Sequence, residues 1–430
     1  MTRFFYSLAF YLLLPVLVLR LWWRGRSNPA YRQRVAERFG FVRNPSQQPC
    51  VWVHSVSVGE TLAARPLVEH LLQTYPAHRI WITTTTPTGS DTVKRLYGAR
   101  VQHSYFPYDL PDAMARFLQR VQPQLLLVME TEIWPNLYAA CQQRGIPLLL
   151  LNARLSERSF RRYRKLGALT RDTLRCVHWI GARSPPDAHY FQQLGATPAQ
   201  IGTCGNLKFA LQIPAGLRET AHELKQQWGE RPVLVAASTH AGEDEIVLRV
   251  FTRLQQVVPN ALLILVPRHP ERFDNVYQQC SNAGLTSIRR SAAQTITPNT
   301  AVLLGDSMGE MLLWFAVADI AFIGGSLVAH GGHNPLEAAA FGVPVVSGTH
   351  THNFPDIFPA LYAAGGAVEI SDESTLYSQC LNWLQNPQQR QQVGANAAQF
   401  FAQQQGVLAC IMQPISALLS PNLASQGASA

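Results

Sequence analysis

Between residue 50 and about residue 370, short apolar runs alternate with segments of helical period, and no other feature narrows the possible folds so far. A first round reads Val51–Val56, Ile80–Thr84, Leu125–Met129, Pro147–Leu151, His178–Ala182 and Ile201–Cys204 as strands. Helices follow from Glu60 to about Tyr75, after Pro87, after Trp134, in a long basic stretch beyond Leu151, and after Pro185. A second round, opening at Pro232, reads Val233–Ala237, Leu262–Val266, Val302–Leu304, Ile320–Ile323, Val343–Ser347 and Ala367–Ile370 in the same way. Strands joined through helices pair in parallel, because a parallel neighbour can be reached only by a long crossover. The expectation is therefore an α/β protein with doubly wound parallel sheets.

The chain has 430 residues, of which 47% are hydrophobic, enough for two or three cored domains and too apolar for disorder. Two consecutive Rossmann-like halves without a sequence repeat predict the two-domain GT-B architecture. Residues 27–210 would form the first domain and 211–405 the second, with a linker in Gly205–Gly216 and a C-terminal helix and frayed tail over 406–430. Ligands of open α/β sheets sit at the carboxyl ends of the strands, so the active site is expected in a cleft between the halves. The seven cysteines are odd in number, scattered, and never arranged as C-x-x-C, which places the body of the protein in a reducing cytoplasm.

Residues 1–26 read as a membrane anchor. Phe4 to Trp23 is nearly uncharged apart from Arg20, and as a helix it would run about 30 Å, the thickness of a bilayer core. It leads into Trp22-Trp23-Arg24-Gly25-Arg26 rather than a small-residue cleavage site, against a secretory leader. Whether it spans or lies in one leaflet stays open. Seven arginines against Glu37 between Arg20 and Arg43 put the globular part on the cytoplasmic side, with Tyr31–Arg43 as a basic amphipathic helix at the surface. A second basic window, Arg158 to Arg175, holds seven Lys/Arg against Asp172. Positive charge confined to two windows, without stacking aromatics, suits an anionic membrane and not a nucleic acid.

Candidate chemistry lies where strands end. His54-Ser-Val-Ser-Val-Gly-Glu60 runs from a buried strand into a helix, putting Glu60 where it would accept a proton or merely favour the helix dipole. Glu130-Thr-Glu-Ile-Trp-Pro-Asn136 offers two acids, of which Glu130, nearer the strand, is the expected one in the site. Lys208, in Gly205-Asn-Leu-Lys-Phe209, is a cation at the hinge. In the second half Arg268-His269 follows one strand and Gly309-Glu310-Met311 opens a helix after another, both suited to a phosphate. The tract from Ile320 to Phe354 is a strand, a glycine-rich loop, and a helix starting at Asn334-Pro335-Leu336-Glu337, where Asn caps, amides face a phosphate, and Glu337 would bind ribose hydroxyls. Its spacing is neither G-x-G-x-x-G, nor a Walker loop, nor a nucleophile elbow. His330, His333, His350 and His352 lack acidic or cysteine partners at ligand spacing, so no metal is expected.

In this order, HSVSVGE, ETEIWPN, GNLKF, PRHPERF, GDSMGEM and GGHNPLEAAAFGVPV resemble the transferases that attach 3-deoxy-D-manno-octulosonic acid (Kdo) to lipid A precursor in Gram-negative bacteria. The resemblance covers nearly the whole chain. It implies an inverting GT-B enzyme at the cytoplasmic side of the inner membrane, using CMP-Kdo and a lipid A precursor, in contact with anionic lipids and without a metal cofactor. Carried over, Glu60 would be the proton acceptor; Glu130 and Lys208 would assist the transition state. Arg268, His269, Gly309, Glu310, Met311, Asn334, Pro335, Leu336 and Glu337 would hold CMP. Two other classes stay in view: an enzyme of the same architecture acting on a UDP-sugar, and a non-catalytic membrane scaffold. Oligomeric state and the number of Kdo residues added are not fixed by the sequence.

Overall fold

The computed structural model describes residues 2–44, 46–211, 213–229 and 231–420. It divides into two compact units, one running to Ala210 and rejoined by the chain from Gly406 onward, the other Leu211–Gln405.

The first unit holds β1 (Cys50–His54), β2 (Arg79–Thr84), β3 (Gln102–Tyr105), β4 (Pro123–Met129), β5 (Leu148–Ala153), β6 (Trp179–Ala182) and β7 (Ile201–Thr203). They form one parallel sheet in the order β3-β2-β1-β4-β5-β6-β7. β1, β2 and β5 are buried along their whole length, which is why they read as continuous apolar runs. Side chains alternate between two cores: Trp52, Leu126, Val128 and Leu150 pack with Phe117 on one face, while Val53, Leu127, Met129 and Leu151 pack on the other with Leu67. That second core also takes in Val407, Ile411, Met412, Ile415 and Leu419, so the C-terminal helix Val407–Leu419 is a layer of the first unit. A disulfide between Cys204 and Cys410, 206 positions apart in sequence, joins it to the end of β7. The scattered cysteines were read as those of a reducing cytoplasm, an expectation this bridge departs from; Cys50, Cys141, Cys176, Cys280 and Cys380 are free.

The second unit holds β8 (Val233–Thr239), β9 (Leu262–Pro267), β10 (Ser287–Arg289), β11 (Val302–Leu304), β12 (Ile320–Ile323), β13 (Val345–Ser347) and β14 (Ala367–Glu369). They make a second parallel sheet, ordered β10-β11-β9-β8-β12-β13-β14. Phe251, Leu263, Phe322 and Trp383 lie in its core.

Helix α1 (Arg3–Ser27) is long and apolar enough to cross a membrane, with a mean hydropathy of 2.0. Beyond it, several local expectations fail. The basic helix expected over Tyr31–Arg43 is two 3-10 turns, Pro29–Arg32 and Val35–Phe39, separated at Arg34, whose φ is +56°. Arg34 is held there by Glu37 (2.8 Å) and the His103 carbonyl (3.0 Å), and Glu37 accepts from the Tyr105 amide (2.8 Å). Tertiary bonds to edge strand β3 outweigh helix formation. The long basic helix is broken at Gly167, with φ +53°, into Glu157–Lys165 and Ala168–Leu174. The proposed tail, 421–430, lies outside the described residues.

Candidate active site

In the first sheet the strand order reverses between β1 and β4, the position at which open α/β sheets bind ligands. β1 passes into α2 (Val58–Ala63), whose N-cap Ser57 accepts from the Glu60 amide at 3.3 Å. Ser57 Oγ in turn donates to Glu60 Oε1 (3.1 Å), and the Val56 amide donates to Oε2 (2.8 Å). This reciprocal cap holds the carboxylate over the strand end while leaving lone pairs on both oxygens. Glu60 is 8% exposed. Burial pushes its carboxyl up to about 7, against the Val56 amide, and Glu130 adds to the rise.

Glu130 immediately follows β4 with φ +56°, a left-handed conformation costly for a residue with a side chain. Its amide donates to the Leu151 carbonyl at 2.8 Å, and its Oε2 accepts from Arg154 Nε at 3.0 Å. Glu132 is the acid that the sequence reading passed over. Burial, then Glu60 and Glu130, raise its carboxyl to about 8, although Trp134 Nε1 donates to it at 2.9 Å. Three glutamates and Arg154 thus share one electrostatic neighbourhood. Lys208 belongs to the same unit, in the turn Leu207–Phe209, whose Leu207 amide donates to Asn152 Oδ1 (2.9 Å) at the end of β5. Asn152 also has a positive φ, +53°. His54, ahead of Glu60, is a core residue: buried, stacked on Phe106 at 3.9 Å, and lowered by burial to about 3.

The second sheet reverses between β8 and β12. The loops after β11, β9, β8 and β12 therefore stand side by side, and three of them carry the residues expected to bind a nucleotide. Arg268 and His269 are exposed just past β9, with the Arg268 amide donating to the Thr239 carbonyl at 2.9 Å. Gly309 has φ +89° and precedes the helix Met311–Val317, but the Glu310 carboxylate is taken up by Arg290 at 2.8 Å, which lowers its pKa. Asn334 Oδ1 accepts from the Leu336 amide (3.1 Å), and its Nδ2 donates to Glu337 Oε1 (3.3 Å). The N-cap is Pro335 and not Asn334 as expected, and the helix is only Leu336–Ala340, five residues, with Leu336 buried. A helix so short contributes little dipole.

Sequence reasoning missed the loop between them, after β8. His240 Nε2 lies 2.9 Å from His333 Nε2, and its ring stacks on His330 (4.1 Å) and meets His269 edge-on (5.4 Å). Burial lowers His240 to about 4 and His333 to about 3, with Arg268 among the further causes at both. One of that pair donates and the other accepts, as neutral imidazoles do. Glu243, fully buried, accepts from the amides of His240 (2.9 Å), Gly325 (2.7 Å), Ser326 (3.0 Å) and Leu327 (3.0 Å). This carboxylate shapes the glycine-rich loop. The available signal was Ser-Thr-His-Ala-Gly-Glu at the end of a buried strand.

Comparison with known proteins decides the family. Residues 33–211 match the family model described as 3-deoxy-D-manno-octulosonic-acid transferase (kdotransferase). Residues 244–400 match the model for glycosyl transferases group 1. A 3-deoxy-D-manno-octulosonic acid transferase from Haemophilus influenzae is 41% identical over 98% of this chain and 100% of its own. The chain belongs to the Kdo transferase family. It is accordingly a glycosyltransferase. A transferase of the same name from Bordetella pertussis is 38% identical over 94% of this chain and 97% of its own. A UDP-GlcNAc 2-epimerase from Neisseria meningitidis superposes with a TM-score of 0.50 at 14% identity, over 85% of this chain and all of its own, a likeness of fold alone that agrees with the GT-B architecture.

Proposed function

We propose that this Kdo transferase moves Kdo from CMP-Kdo to a lipid A precursor with inversion at the anomeric carbon, at the cytoplasmic face of the inner membrane, Glu60 being the general base. The observation that carries the reading is the Glu60 carboxyl itself: buried, held by its cap at the reversal point of the first sheet, and raised to about 7. A base with that affinity is matched to proton transfer near neutrality. As the acceptor oxygen bonds the anomeric carbon, its proton passes to Glu60. The bond from that carbon to the CMP phosphate breaks, and CMP leaves with the electron pair.

Arg268 would balance the phosphate charge that grows in this step, Lys208 would assist the transition state, and Glu130 would tune the base from the side. A leaving nucleoside monophosphate carries less charge than a diphosphate, so the reading calls on no metal. CMP would be held by Arg268-His269, Gly309–Met311 and Asn334–Glu337. The α1 helix and the basic helix Glu157–Lys165 would keep the enzyme on the anionic surface where its lipid acceptor resides.

The test is a reaction of the purified protein with CMP-Kdo and lipid A precursor, products resolved by mass. A Kdo-bearing product is expected, and its absence with a folded protein overturns the reading. CMP should raise the unfolding temperature where UDP does not; the reverse result would point to a UDP-sugar.

A further inference from the structure

The face that α1 turns toward its own unit is at odds with a helix that crosses a bilayer. Tyr6, Ser7, Phe10, Leu14, Leu17 and Leu21 are half-buried and Gly25 is buried, a single stripe recurring every three or four residues along the whole helix. The rest of the helix surface is exposed and apolar, with Phe4, Leu8, Leu12, Val16, Leu19 and Trp23 opposite that stripe and Phe5, Leu13 and Trp22 beside them, Leu12 by 72% and Trp23 by 65%.

Polar bonds tie the start of α1 to two other helices of the first unit and its end to the turn that follows it. Near the start, Ser7 Oγ donates to Asn136 Oδ1 (2.9 Å) and Tyr11 OH to Asp112 Oδ1 (2.6 Å). Near the end, Arg32 donates to the Trp22 carbonyl through Nε (3.1 Å) and Nη2 (3.0 Å), its guanidinium 4.6 Å from the Trp22 ring. From Ser7 to Trp22 an α-helix advances about 22 Å. Were α1 to stand upright in the bilayer, either these bonds would break or the surface around Asp112 would sink most of that distance into hydrocarbon. Asp112 is ion-paired with Arg116 and half exposed, and Asn136 is bonded to buried Asp109. Immersing such charges is costly.

Charge flanks the helix at both ends. Arg20, Arg24 and Arg26 are exposed near its end, and Arg158, Arg161, Arg162, Arg164 and Lys165 stand on the basic helix, whose Tyr163 is within electrostatic reach of Tyr6. An exposed apolar helix surface with cations at its ends, held sideways by the bonds of Ser7 and Tyr11, fits the headgroup boundary of an anionic leaflet.

We propose that α1 does not cross the membrane but lies along its cytoplasmic surface, with the Phe4–Leu12–Leu19–Trp23 stripe immersed in one leaflet of anionic phospholipid. Both ends of the helix then remain on the cytoplasmic side. This rests on the membrane-bound reading above and adds its geometry.

Thr2→Cys places a thiol at the exposed start of α1, in full-length protein in its native membrane. A membrane-impermeant maleimide should leave it unlabelled in intact spheroplasts and label it, above the wild-type level, after detergent lysis. Labelling in intact spheroplasts would show that the helix crosses and would overturn the proposal. Recovery of the protein in the soluble fraction would overturn it as well, together with membrane binding. Kdo transfer by the same membranes is measured in parallel, so loss of the topology leaves the assignment of activity standing or falling on its own result.

Discussion

Glu60 shows how a local capping residue acquires chemistry. Its bonds to Val56 and Ser57 are those of any helix start, and only burial beside Glu130 raises it to about 7. Glu60→Gln keeps the shape and cannot take a proton, so turnover should fall roughly 10²–10⁴-fold with CMP affinity little changed. Turnover within a few-fold of wild type would move the base assignment to Glu130. In the wild type, activity should rise with pH through about 7, as the base ionises. Glu130→Gln removes a like charge that raises Glu60, so the acid limb should shift to lower pH; a limb that stays put would show the two are not coupled. Glu132 supplies a stability test. Its carboxyl is lifted to about 8 in the fold from an ordinary 4.5, so the folded state holds a proton the unfolded chain releases. That contribution is complete below about pH 4.5 and is lost as pH rises through 8. Glu132→Gln should therefore raise the unfolding temperature, relative to wild type, more at pH 9 than at pH 5, and equal shifts at both would contradict the desolvation of this half-buried carboxyl.

At the scale of elements, legibility follows burial. β1, β4, β8 and β9 were read from their apolar runs because a strand covered on both faces must be apolar throughout. β3 (Gln-His-Ser-Tyr) and β10 (Ser-Ile-Arg) were missed: each is the edge of its sheet, short and only partly buried, and polar residues satisfy it. The loop Gly324–His333 was read as a glycine-rich loop leading to a phosphate-facing helix start, but its conformation is set by Glu243, the first residue of the helix Glu243–Gln255. Glu243→Ala would strand four amides, and with hydrogen bonds to a charged group contributing about 1.5–3 kcal/mol each, the second unit should lose about 3 kcal/mol or more. Denaturant unfolding checks this; a loss under about 1 kcal/mol would mean that the loop keeps its shape without the carboxylate.

For the whole molecule, the return of the chain into the first unit matters most. Five apolar side chains of Val407–Leu419 are buried against the first sheet, at about 1.5–3 kcal/mol each a total comparable to the entire stability of a domain. A chain ending at Gln405 should therefore fail to fold its first unit. Recovery of that truncation with native circular dichroism and Kdo transfer would refute this. The α/β class, the buried strands, the apolar first helix and the positions of Glu60, Glu130, Lys208, Arg268 and the 334–337 tract were all set by local pattern: periodicity and turn chemistry act within a few residues. Which strands are neighbours was decided only in three dimensions. Pairing of β1 with β4 brings Glu60 to Glu130 and Glu132, and pairing of β8 with β12 brings His240 and Glu243 to the glycine-rich loop. The disulfide of Cys204 with Cys410 and the docking of the last helix belong to the same class. Such pairings depend on the free energy of closing and burying long stretches of chain, and no window of sequence contains both partners.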